Sequence, residues 1–121
     1  MSWISVAGVL GTLSVVAGAF GAHGLRESVS PERLSAWQTA AHYALVHSAA
    51  LALALYGAAS GRSVTLPAAL WTVGVVLFSG SIFGLVLFEL RVLGPVTPLG
   101  GLLLIAGWAS LLWWARSGAS G

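Results

Sequence analysis

The chain has 121 residues, of which 58% are hydrophobic and only 7% charged. A soluble domain carries charge at about a quarter of its positions, and so small a globule keeps too much surface wet to hide this much apolar side chain. Five arginines stand against three glutamates and form no basic run that could follow a phosphate backbone, so nucleic-acid binding is set aside. Cysteine is absent, which removes disulfides, thiolate metal sites and cysteine nucleophiles.

The charged residues Arg26, Glu27, Glu32, Arg33, Arg62, Glu89, Arg91 and Arg116 divide the chain into charge-free stretches 1–25, 34–61, 63–88 and 92–115. At 1.5 Å per residue, roughly 20 apolar residues cross a ~30 Å hydrocarbon core, so each stretch is long enough for one crossing. Lipid offers backbone amides no partner, which favours helices, and the period-two alternation of barrel strands is missing from Leu51–Leu55 and Leu102–Leu104. The expected fold is all-α: an integral membrane antiparallel four-helix bundle in a single domain over 1–121, with spans near 3–23, 36–59, 67–90 and 98–115. The only contact implied by composition is the lipid bilayer.

In chain order, the first span lacks the positive flank of a secretory signal and is longer than a signal's apolar run, so it is expected to be retained. Its Ala7, Gly11, Ser14, Gly18 and Ala22 recur every three or four residues, a small-residue stripe that lets another helix approach closely, within the chain or in a homo-oligomer. His23, between Gly21 and Gly24, closes this helix, where an imidazolium is favoured by the exposed carbonyls.

Ser30-Pro31-Glu32 reads as an N-cap, a proline at the first helical position and an acid in the first turn of helix 2. Five residues separate His42 from His47, so they point about 140° apart and cannot share a metal on a straight helix. Tyr43 and His47, four apart, share a face. Measured from Trp37, His47 lies about 15 Å deep, near the midplane. In helix 3, Ser79 and Ser81 reach comparable depth. A neutral imidazole bonded to one of these hydroxyls would tie two helices together and is the favoured reading; proton, metal or ligand handling by an ionisable group at this depth is the alternative. Glu89 has Arg91 as its nearby cation. Gly94, Pro95, Thr97 and Pro98 break the chain before helix 4, whose Gly100, Gly101 and Gly107 suit close packing. Tryptophans 3, 37, 71, 113 and 114 fall near span ends and read as an aromatic belt.

Gly18-Ala19-Phe20-Gly21-Ala22-His23-Gly24-Leu25, then Trp37-Gln38-Thr39 with Tyr43 and His47, then Phe78-Ser79-Gly80-Ser81, Thr97-Pro98, Gly100-Gly101 and Gly107-Trp108 appear in an order that resembles domain of unknown function family 423. That family is similar to transmembrane protein 256 of animals. The chain departs from it at Phe83, where the family often has tyrosine. The resemblance implies a four-span protein of the bacterial inner membrane with a mitochondrial counterpart in animals, no established activity, and both termini in the cytoplasm. It places the polar residues His23, Tyr43, His47, Ser79 and Ser81 within the family motifs.

The sequence therefore supports a non-enzymatic helical bundle that self-associates or joins a membrane-protein complex, with no catalytic residue, cofactor or metal site. A carrier or channel for a proton or small solute, built on His47, is the second reading. A haem- or metal-binding subunit using His23 and His47 is the third, and their unequal depths argue against a shared site.

Overall fold

The structure, a computed structural model, describes residues 2–58, 61 and 63–119, with side chains to residue 113. Arg62 and the side chains of Arg116 and Trp114 lie outside the described residues, so the charge comparison between the two membrane faces stays with the sequence.

Four long helices, α1 (Trp3–His23), α2 (Pro31–Gly57), α3 (Thr65–Phe88) and α4 (Val96–Ala119), make the chain 86% helical, with no strand among the described residues. Each is long and apolar enough to cross a membrane. The termini follow from local chemistry. Ser2 caps α1 by accepting from the Ser5 amide, and the amides of Gly24 and Leu25 close its other end on the Phe20 carbonyl. Ser30 accepts from the Arg33 amide ahead of Pro31 and Glu32, the capping arrangement expected of that tripeptide. A 3₁₀ turn, Arg91–Leu93, leads into α4.

Glu89 ends α3 at φ 53°, a left-handed position that glycine takes without steric cost and other residues do not. Its carboxylate pairs with the Arg33 guanidinium at 2.9 Å. The cation is thus Arg33 of α2 and not Arg91, because α3 and α2 run antiparallel and bring the end of one to the start of the other.

Consecutive helices pack side by side: α1 on α2, α2 on α3 and α3 on α4. The registers run in opposite chain directions, Trp37 beside Ala17 and Phe83, His47 beside Trp71, Trp71 beside Gly107 and Phe78 beside Gly100. On α1 the buried residues are Ala7, Ser14 and Gly21, spaced by seven, the interval that keeps one narrow seam facing a partner helix. The small-residue stripe is therefore split. A Cβ on Gly11 would make ordinary contact with Ser48, while one on Gly18 would meet nothing within 4 Å; Gly21, one turn on, has the Trp37 ring where its Cβ would stand, at 2.7 Å. Ile4, Leu13, Val16, Leu53, Val76, Leu102 and Ile105 face outward, as lipid-facing side chains should.

The α3–α4 seam is the tightest. Gly74 receives Leu104, Gly107 receives the Trp71 indole, and Gly100 lies directly against the Phe78 backbone and the Gly74 carbonyl. Close backbone approach of this kind is the main source of helix attraction in lipid, where apolar side chains gain nothing by leaving an apolar solvent.

Candidate functional site

The interior polar groups form a line along α2 and α3. Ser48 Oγ donates back to the Ala44 carbonyl and Ser14 Oγ to Leu10, so both hydroxyls are satisfied within their own helices. Ser79, fully buried, donates across to the Ala40 carbonyl of α2 at 2.7 Å. Ser81 donates to Phe78 within α3 and also pairs with the Thr97 hydroxyl of α4. Trp37, 4% exposed, donates its indole N–H to the Ala17 carbonyl of α1 at 2.7 Å and sits between Phe20 and Phe83. The bonds of Ser79, of Ser81 with Thr97 and of Trp37 each tie one helix to the next.

His47 is the centre of this line and is 4% exposed. Trp108 of α4 donates its indole N–H to His47 Nε2 at 2.9 Å, so that nitrogen must carry the lone pair. The proton then resides on Nδ1, 2.6 Å from the Tyr43 carbonyl, to which it donates. The imidazole is thus neutral in a fixed tautomer with both nitrogens engaged. The Tyr43 ring stacks on it at 6.1 Å between centroids, and Trp71 and Trp108 approach edge-on at 6.3 and 5.8 Å.

The partner expected for His47 was a serine of helix 3; it is Trp108 of α4. Rotation of α3 aims Ser79 at the Ala40 carbonyl and Ser81 at the Thr97 hydroxyl. Of the five residues singled out, Tyr43 and His47 form one cluster. Ser79 and Ser81 are helix ties in the same interior. His23 stands apart, exposed in the last turn of α1. Trp37 and Trp71 are interior residues, at 4% and 1% exposure, and not members of an interfacial belt. Sequence reasoning quotes Trp108 only as a motif residue, beside Gly107, and gives it no part in the site. A signal for it existed: it lies 12 residues into α4, about 18 Å along the helix, where an indole N–H in hydrocarbon gains from an acceptor.

Among the described residues no three histidine, aspartate or glutamate side chains gather as a metal would need. For a metal or haem iron to take His47 it would have to displace Trp108 from Nε2.

The protein-family comparison matches residues 17–101 to the family described as protein of unknown function (DUF423). The chain belongs to the DUF423 family. Among its relatives, a UPF0382 membrane protein of Staphylococcus haemolyticus is 44% identical over 116 residues, covering 93% of each chain. A UPF0382 membrane protein of Schizosaccharomyces pombe is 43% identical over 115 residues, covering 89% of this chain and 96% of that one. No solved structure matches. Both relatives are membrane proteins by name, in accord with four helices of membrane-spanning length; Trp37, Tyr43, His47, Ser79, Ser81 and Thr97 lie within the matched stretch and Trp108 lies beyond it.

The bond between His47 and Trp108 makes a measurable prediction. Replacing His47 with leucine orphans the indole N–H and should cost about 1–2 kcal/mol, the value of one membrane hydrogen bond plus a stranded donor. His47→Gln, whose amide oxygen can accept, should recover part of that. Reversible unfolding in bicelles, with a Trp108→Phe cycle, checks it: if His47→Leu costs the same in the Trp108→Phe background, the bond contributes nothing.

Proposed function

We propose that this DUF423 protein is a non-enzymatic association module of the membrane, with spans near 3–23, 36–59, 67–90 and 98–115, that joins a second copy of itself or a larger membrane protein through the α1–α2 face. The observation that carries this reading is the disposition of polar groups. Inside, His47, Ser79, Ser81 and Trp37 are spent on helix ties. Outside, Gln38 and His42, one turn apart on α2, face away from the chain beside a groove of about 390 Å³ that Ser14, Gly18 and Ala19 of α1 share. Polar side chains within a span are costly in lipid and gain when a neighbouring helix supplies partners. Gly8 and Gly18 also leave room on this face, where a Cβ would meet nothing of the chain within 4 Å, and small residues let a neighbouring helix approach closely. The engagement of both His47 nitrogens weighs against a proton or solute path through the chain, and against haem. Staphylococcal relatives named as membrane proteins support residence in a bacterial plasma membrane, inner where there are two; the basic C-terminus that the family resemblance implies favours both termini in the cytoplasm.

The test is association measured by energy transfer between labelled copies in liposomes at increasing dilution. Gly18→Leu is expected to leave folding intact, because its side chain points into open space, and to weaken self-association at least tenfold; His42→Leu should weaken it as well. A chain that stays monomeric at every density, and that captures no membrane protein through Gly18 when crosslinked in native membranes, would defeat the reading.

A further inference from the structure

A second site lies at the start of α2, where the loop after α1 meets the end of α3. Leu25, Ser28, Val29 and Arg33 on one side and Val86 to Glu89 on the other enclose a cleft of about 440 Å³. Unlike the apolar grooves between the helices, its lining is more polar than apolar. Its floor is buried Leu25 and Val86, while the exposed Arg33 and Glu89 hold opposite charges 2.9 Å apart at its rim. The pair uses one Arg33 nitrogen and one Glu89 oxygen, which leaves the remaining guanidinium donors and the second carboxylate oxygen free to bind. Glu89 is kept there in a backbone conformation that favours glycine, and a mainly exposed ion pair is a small return for that conformation.

The position of the cleft decides what reaches it. It opens at the end of a membrane-length helix, next to outward-facing Leu87 and Phe88, and so at the depth of lipid headgroups. Around it Arg26, Arg33 and Arg91 are balanced by Glu27, Glu32 and Glu89, so no net field draws anionic lipid. A ligand that carries both charges a few ångströms apart, with an acyl tail for Leu87 and Phe88, is complementary to all of this. We propose that the cleft binds the headgroup of an amine-bearing zwitterionic phospholipid, a phosphoethanolamine ester, with its phosphate on the free Arg33 donors and its ammonium on the free Glu89 oxygen. A primary ammonium donates hydrogen bonds to a carboxylate; a trimethylammonium does not.

The experiment reconstitutes the full chain in liposomes with equal parts phosphatidylethanolamine, phosphatidylcholine and phosphatidylglycerol, then reads retained lipid by native mass spectrometry after gentle extraction. Phosphatidylethanolamine should be retained at least fivefold over each of the others. Glu89→Gly removes the ammonium acceptor at a position where glycine is at ease, so the variant should fold as well as the parent and lose the preference over phosphatidylcholine. Arg33→Gln should lose retention of all three. Equal retention of the three lipids by the parent chain, or an unchanged preference in folded Glu89→Gly, would overturn the proposal. So would binding of soluble glycerophosphoethanolamine as tight as that of the lipid, since the acyl tail would then play no part.

Discussion

Gly100→Ala is expected to cost about 3 kcal/mol or more, the upper end of what overpacking costs, and to leave little folded protein. The new methyl would fall on the Phe78 backbone and the Gly74 carbonyl, and backbone cannot rotate out of the way as a side-chain tip can. To admit it, α3 and α4 would have to separate along the seam that also holds Gly74 against Leu104 and Gly107 against Trp71. The adjacent residue supplies the control. A Cβ on Gly101 would stand 3.7 Å from Phe78 Cδ1, an ordinary contact, so Gly101→Ala should be neutral or stabilising by up to about 1 kcal/mol through helix propensity. Unfolding of the two variants in bicelles, followed by steric trapping, decides the matter: equal stabilities would mean that the α3–α4 contact is not as close as described.

The second large effect is expected at Trp37. Trp37→Ala should cost about 3–4 kcal/mol, in the range for removing a buried aromatic, because the ring fills the space among Phe20, Gly21 and Phe83 that joins α1, α2 and α3. Trp37→Phe retains most of that packing and loses only the bond to the Ala17 carbonyl, about 1 kcal/mol. Thermal denaturation followed by circular dichroism should rank the parent above Trp37→Phe and Trp37→Phe well above Trp37→Ala. Were Trp37 an interfacial anchor, as its place near a span end suggests, alanine would cost little and the ranking would collapse.

That contrast shows where reading the sequence stops. Hydropathy and charge position report depth along the membrane normal, and Trp37 and Trp71 stand at the expected depth for belt residues. They do not report which way a side chain turns about its helix axis, and both turn inward. The same blindness explains the small-residue stripe. Gly18 and Gly21 differ by three positions and hence by roughly 60° around α1, enough to leave one facing open space and the other under the Trp37 ring. It also explains His47, whose depth and burial were foreseeable but whose partner was not. An imidazole can take a donor from any neighbour, and the choice of Trp108 over Ser79 or Ser81 depends on how α3 and α4 are rotated against α2.

The sequence by itself determined that this protein is four apolar helices in a membrane, because a backbone in hydrocarbon must satisfy its own hydrogen bonds and charges cannot remain inside. It also determined the start of α2, since Ser30-Pro31-Glu32 acts within a single turn and needs no neighbour. The tertiary structure alone decided which glycines are seams, that Arg33 and not Arg91 answers Glu89, and that Trp108 holds His47 in one tautomer. The division has one physical reason: length, depth and capping are set by the local chain and its solvent, whereas contacts are set by the rotation of one helix about its axis relative to another, which a chain as uniformly apolar as this encodes only through the packing of all four helices together.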